Sequence, residues 1–136
     1  MIEAARAGNL EMLKWVTERH ERIVWIPQIM DAAASSNQMH VLEWLYAQPK
    51  NGGCTNQTFK AAVVNGHLDV FKWLRERNDD MELDLFDEIL DALRNGHAEI
   101  AKHVYEQPEF STPFFWDIDC AVQAGDLGLV QLLLSR

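Results

Sequence analysis

Apolar positions recur along this chain in an order that repeats five times. The segments AARAGNLEMLKWV (4–16), AASSNQMHVLEWL (33–45), AVVNGHLDVFKWL (62–74), ALRNGHAEIAKHV (92–104) and AVQAGDLGLVQLL (121–133) superpose without gaps. In each, apolar residues spaced by three and four lead to a single Gly or Asn, and similar spacing then resumes. That spacing places side chains on one face of an α-helix. The pattern predicts helix, tight turn, helix and loop, five times over.

The turn residues Gly8, Asn37, Gly66, Gly96 and Gly125 are separated by 29, 29, 30 and 29 positions, a period too steady for chance. Gly and Asn best tolerate the left-handed backbone just past a helix C-terminus. Four positions before each turn stands Ala4, Ala33, Ala62, Ala92 or Ala121. A residue without a γ-carbon suits a place where two helices approach closely. Seven before it are Met1, Met30, Phe59, Ile89 and Ile118, all large and apolar. Helices of about two to three turns do not persist alone in water, so each pair must gain its stability by stacking on its neighbours. The column Trp15, Trp44 and Trp73 is expected to pack between successive pairs.

The strings NGHLDVFKWL (65–74) and NGHAEIAKHV (95–104), each preceded by an Ala-containing helix, resemble ankyrin repeats, and the likeness extends over essentially the whole chain. It implies an all-α, ankyrin-like helical solenoid of about five stacked helix-turn-helix repeats. The expected domain is 1–136, with units near 1–22, 23–51, 52–80, 81–110 and 111–136. There are departures. The family repeat is about 33 residues long and opens with T-P-L-H, whereas the tetrads here are QIMD (28–31), QTFK (57–60), DEIL (87–90) and WDID (116–119). With only 13 residues between Leu45 and Phe59, shortened loops are expected in place of β-hairpin fingers. WLYAQPKNGGCT (44–55) is similar to divergent arrays of oomycetes, amoebae and giant viruses. A tetratricopeptide array would need about 34 residues per unit and a W-x-x-L-G-x-x-Y spacing that this chain lacks. Neither outermost unit carries the polar outer face of a terminal cap, so the array is expected to continue in a longer one or to self-associate through its uncapped ends.

Composition narrows the function. An apolar fraction of 48% is ordinary for a folded domain. Twelve Lys and Arg against 21 Asp and Glu give a net charge of −9, which repels phosphate backbones and anionic lipid and would steer a basic segment inward. Nucleic acid and membrane are therefore not expected partners. Cys54 and Cys120 form no C-x-x-C pair, no apolar run approaches the roughly 18 residues of a membrane span, and MIEAARAGNL (1–10) is not expected to be a secretory signal. An intracellular, cytoplasmic protein is expected.

No phosphate-binding loop, dinucleotide-binding glycine run, G-x-S-x-G or H-E-x-x-H occurs. His67 and His97 follow turn glycines, a common family position that implies backbone bonding rather than metal ligation. No enzyme activity, metal or cofactor is expected.

The expected function is protein recognition along the concave surface of first helices and loop tips, the alternative being a structural spacer within a longer array. By the resemblance, the concave face would present Arg6, Ser35, Ser36, Val64, Asn65, Arg94, Asn95 and Gln123. Two features depart from the repeat. Asp79, Asp80, Glu82, Asp84, Asp87, Glu88 and Asp91 lie within 13 residues without an intervening base, a candidate docking patch for a basic segment. Trp25 and Trp116 fall in columns otherwise held mostly by polar or small residues and are candidate hot spots.

Overall fold

The computed structural model describes residues 1–20, 22–23, 25–48, 53–78, 85–107 and 115–135, the side chains of 85, 86 and 115–117 excepted. The described residues are all-helical, with ten α-helices and no strand. The expected trimmed loops fall largely on 49–52, 79–84 and 108–114, outside the described residues.

The chain forms two compact units, Met1–Met81 and Glu82–Arg136. The first holds α1 (Ile2–Arg6), α2 (Leu10–Arg19), α3 (Pro27–Ser35), α4 (Met39–Tyr46), α5 (Asn56–Val64) and α6 (Leu68–Arg77). Within it α1, α3 and α5 pack side by side in a row, and α2, α4 and α6 each pack on the helix before them. The second holds α7 (Leu85–Arg94), α8 (Ala98–Tyr105), α9 (Phe115–Ala124) and α10 (Leu127–Leu134). There α7 packs on α9, α8 on α10, and each pair on itself.

One turn chemistry recurs at the junction inside each of the five helix pairs. Gly8, Gly66, Gly96 and Gly125 have φ between 73 and 79°, and Asn37 has φ 56°. The N–H after each turn residue reaches back to the carbonyl of the alanine column: Asn9 to Ala4 (2.8 Å), Gln38 to Ala33 (2.9 Å), His67 to Ala62 (2.9 Å), His97 to Ala92 (2.8 Å) and Asp126 to Ala121 (3.4 Å). The turn residue's own N–H bonds one residue further along, as in Gly66 to Val63 at 3.1 Å. This pair of bonds satisfies carbonyls that a helix C-terminus otherwise leaves open. Pro27 begins α3, where its missing N–H costs nothing.

The same alanines line the helix contacts. Ala33, Ala62, Ala92 and Ala121 are fully buried and Ala4 nearly so. Around them lie Leu13, Met30, Leu42, Leu45, Phe59, Phe71 and Leu74 in the first unit, and Ile89, Ile100, Val104, Leu129 and Leu133 in the second. Burying each large apolar side chain contributes about 1.5–3 kcal/mol. Phe59 and Phe71 meet edge to face, 6.2 Å between centroids.

The tryptophan column departs from its expected uniform core role. Trp73 is buried, Trp44 is half-buried, and Trp15 is 53% exposed with the Arg19 guanidinium 4.4 Å over its ring. The physical reason lies in neighbours. Trp73 receives Tyr46 of the preceding helix pair edge-on at 5.5 Å, whereas the contact at the Trp15 ring is the Arg19 guanidinium of its own helix. In the column of the buried Met30, Phe59 and Ile89, Met1 is exposed and Ile118 half-buried.

Candidate functional site: a groove along the first helices

The row α1, α3, α5 presents a groove of about 520 Å³ on its outer face. Its lining follows the helical period. From α3 come Gln28, Asp31, Ala32 and Ser35, and from α5 Gln57, Lys60, Ala61 and Val64, both at i, i+3, i+4 and i+7. Ile2 and Arg6 of α1 continue the stripe, and Asn65 closes it. The small Ala32 and Ala61 stand at matching positions of the two stripes, where a longer side chain would take up space in the depression.

Polar bonds hold this row in register. The Thr58 hydroxyl accepts from the Thr55 N–H at 3.1 Å and donates to Asp31 Oδ1 at 2.6 Å, tying α5 to α3. Gln38 Nε2 donates to the Arg6 carbonyl at 3.2 Å, and His67 Nε2 bonds the Ser35 carbonyl at 2.9 Å. A carbonyl only accepts, so His67 carries its proton on Nε2. His40, without an evident partner in the sequence pattern, bonds the Gly8 carbonyl through Nε2 at 3.1 Å. Arg6 pairs with Glu3 one turn earlier.

Four of the expected concave-face residues thus meet in one groove: Arg6, Ser35, Val64 and Asn65. Ser36 is half-buried and not among its lining residues. In the second unit Arg94 and Gln123 line another depression, of about 470 Å³, together with Leu93, Gly96, Cys120 and Ala124. Asn65 and Asn95 are exposed, but their amides donate to the carbonyls of Ala61 (2.8 Å) and Asp91 (2.7 Å), covering their own helix ends. Gln28, Gln57, Lys60, Asp31 and Ile2 were absent from the sequence-derived set. Counting back from each turn residue in helical steps would have found them.

The other candidates are dispersed. Trp25 is half-buried and meets Trp44 edge-on at 5.7 Å, so its ring is partly engaged within the fold. The side chain of Trp116 lies outside the described residues, as do Asp79, Asp80, Glu82 and Asp84. Of the remaining acids, Asp87 is exposed, Asp91 half-buried, and Glu88 only 8% exposed. Glu88 therefore does not present its carboxylate to solvent as a docking patch requires. Charge is divided unevenly between the units. Residues 1–81 carry nine Lys and Arg against ten Asp and Glu, residues 82–136 three against eleven.

Cys54 is half-buried, and burial raises its thiol above the ordinary range. A hydrogen bond with Asn78 opposes that shift and the nearby Asp31 charge adds to it. The thiol is accordingly held in its unreactive protonated form. Asp126 is shifted the other way. The Leu129 N–H (2.9 Å) and the Lys102 ammonium (3.0 Å) both favour its carboxylate and hold it below the usual range. Among the described residues no group of three or more His, Cys, Asp or Glu is placed to hold a metal ion, and no helix is long and apolar enough to cross a membrane. The chain matches no known family model and no curated protein.

Proposed function

We propose that this chain is a non-catalytic protein-recognition module, a divergent ankyrin-type helical solenoid that holds a partner segment along its row of first helices. One observation carries the reading. The first helices of two successive pairs, α3 and α5, offer the same i, i+3, i+4, i+7 stripe to one groove, which Ala32 and Ala61 line together with the polar Arg6, Gln28, Gln57, Lys60 and Asn65. An open depression lined by small apolar and polar side chains of three helices suits a peptide segment better than a small molecule, which favours enclosed pockets. The five-fold recurrence of one turn supports the repeat architecture. The acidic second unit would attract a partner with a basic segment, and the free thiols of Cys54 and Cys120 fit an intracellular setting.

Selection of a displayed random-peptide library on the immobilised chain tests the proposal. Selected peptides should lose at least about tenfold in affinity when Gln28, Gln57 and Val64 are replaced together by alanine, since truncating central contacts has that scale of effect. If selection yields no binders, or if binders are indifferent to these changes, the groove is not a recognition surface.

A further inference from the structure

We infer that the Asn65–Gly66 and Asn95–Gly96 pairs are sites of spontaneous deamidation that a closed turn blocks and that, once modified, keep the turn from closing again. Asn followed by Gly is the pair most open to this reaction, because no side chain shields the Gly nitrogen. That nitrogen attacks the Asn Cγ and bonds to it. The Asn side-chain nitrogen leaves as ammonia, carrying the proton that the Gly nitrogen gives up. Water then opens the cyclic imide at one carbonyl or the other, giving Asp or isoaspartate. Water is the only co-reactant.

In both turns the reacting groups are engaged elsewhere. The Gly66 N–H donates to the Val63 carbonyl and the Gly96 N–H to the Leu93 carbonyl, each at 3.1 Å. Asn65 Nδ2 donates to the Ala61 carbonyl at 2.8 Å and Asn95 Nδ2 to the Asp91 carbonyl at 2.7 Å. The Gly nitrogen must shed its proton to attack, as in amide hydrogen exchange, and an N–H held in a native bond does so only when the structure opens. Both asparagines are exposed, so it is these bonds and not burial that protect them. The products do not fit the closed turn. Asp lacks the Nδ2 donor and sets a carboxylate at the carbonyl end of its helix, where the helix dipole disfavours negative charge. Isoaspartate also adds a methylene to the main chain, so the N–H groups of Gly66 and His67 can no longer both meet Val63 and Ala62. The other three turns, with Ala7, Ser36 and Ala124 before the turn residue, have no such pair.

Mass spectrometry that separates Asn, Asp and isoaspartate tests the inference on the whole chain held at neutral pH. The synthetic peptides AVVNGHLDV (62–70) and ALRNGHAEI (92–100) supply the unprotected rates. Asn65 and Asn95 should convert at least about tenfold more slowly in the chain than in these peptides, the protection that local opening equilibria confer. Ala33→Leu leaves both Asn–Gly sequences intact and overpacks the first unit, which holds Asn65 but not Asn95, so it should speed conversion more at Asn65. Asn65→Asp and Asn95→Asp, which place one product directly, should each unfold at lower urea concentration than the unaltered chain. Conversion in the chain as fast as in the peptides overturns the inference. So does an Asp variant as stable as the unaltered chain, or an Ala33→Leu chain that unfolds more readily yet converts Asn65 no faster.

Discussion

His67 and Ser35 belong to successive helix pairs, and the His67 Nε2–H donates to the Ser35 main-chain carbonyl at 2.9 Å. One pair earlier, Gln38 makes the same link to the Arg6 carbonyl at 3.2 Å. The position after the turn residue therefore fastens one pair to the one before. Asn9 and Asp126 occupy this position too, but their side chains accept from Met12 N–H (3.1 Å) and Leu129 N–H (2.9 Å), capping their own helices. One column performs two tasks, according to side-chain reach: the longer Gln38 and His67 span to the previous pair, the shorter Asn9 and Asp126 cap their own helices.

His67→Ala should lower unfolding free energy by about 1 kcal/mol, the usual net worth of such a bond plus the exposure of an unmet carbonyl. His67→Gln should recover most of it, since Gln38 already makes this contact. Urea denaturation of the three proteins measures both. Equal loss in the two variants would show that imidazole packing, not the hydrogen bond, is what matters.

Gly8→Ala should cost about 1–2 kcal/mol, the strain of an L side chain in the left-handed region. Gly8 has φ 73°, and a Cβ there would come within 2.4 Å of the Gln38 carboxamide oxygen, so the link from Gln38 to Arg6 should be disturbed as well. Asn37→Gly, at φ 56°, should be neutral or slightly stabilising. The opposite signs are read from denaturation midpoints.

Ala33→Leu should destabilise by about 1–3 kcal/mol through overpacking. Ala33 is fully buried on α3, which packs against both α1 and α5. Thermal unfolding followed by circular dichroism checks this. A neutral result would mean that the row can spread to admit an isobutyl group.

Asp126 makes a prediction about acid. Its folded carboxyl titrates below the usual aspartate value, so its contribution to stability is complete above that value and is lost as pH falls through the lower, folded one. Below about pH 4 the native chain should therefore weaken more steeply than Asp126→Asn, whose side chain does not titrate there. Lys102→Ala should reduce the difference without abolishing it, because the Leu129 N–H still favours the carboxylate. Unfolding free energies measured between neutral pH and the acid limit give these slopes.

Much of the helical architecture was legible from spacing alone. The turn residues stand where a left-handed backbone is needed, and the alanine column is buried in helices. Of the residues expected on a concave face, Arg6, Ser35, Val64 and Asn65 line one groove, and Gln28, Gln57 and Lys60 line it beside them. Those residues look like ordinary polar surface until the helical phase is counted from the turn. Glu88 shows the converse. Its acidic neighbours suggest solvent, while the helix phase that buries Ile89 and Ala92 carries it inward.

What the amino-acid order determined by itself is local: helical segments whose apolar faces recur at three and four, joined by turns that only Gly or Asn enters readily. These follow from backbone sterics and short-range hydrogen bonding, and need no knowledge of distant residues. The tertiary structure alone decided the fate of equivalent side chains, with Trp15 exposed, Trp44 half-buried and Trp73 enclosed, and made Gln38 and His67 cross-links where Asn9 and Asp126 are caps. A repeat assigns identical positions the same direction in space. Burial and bonding depend on which side chains the rest of the fold brings to that place.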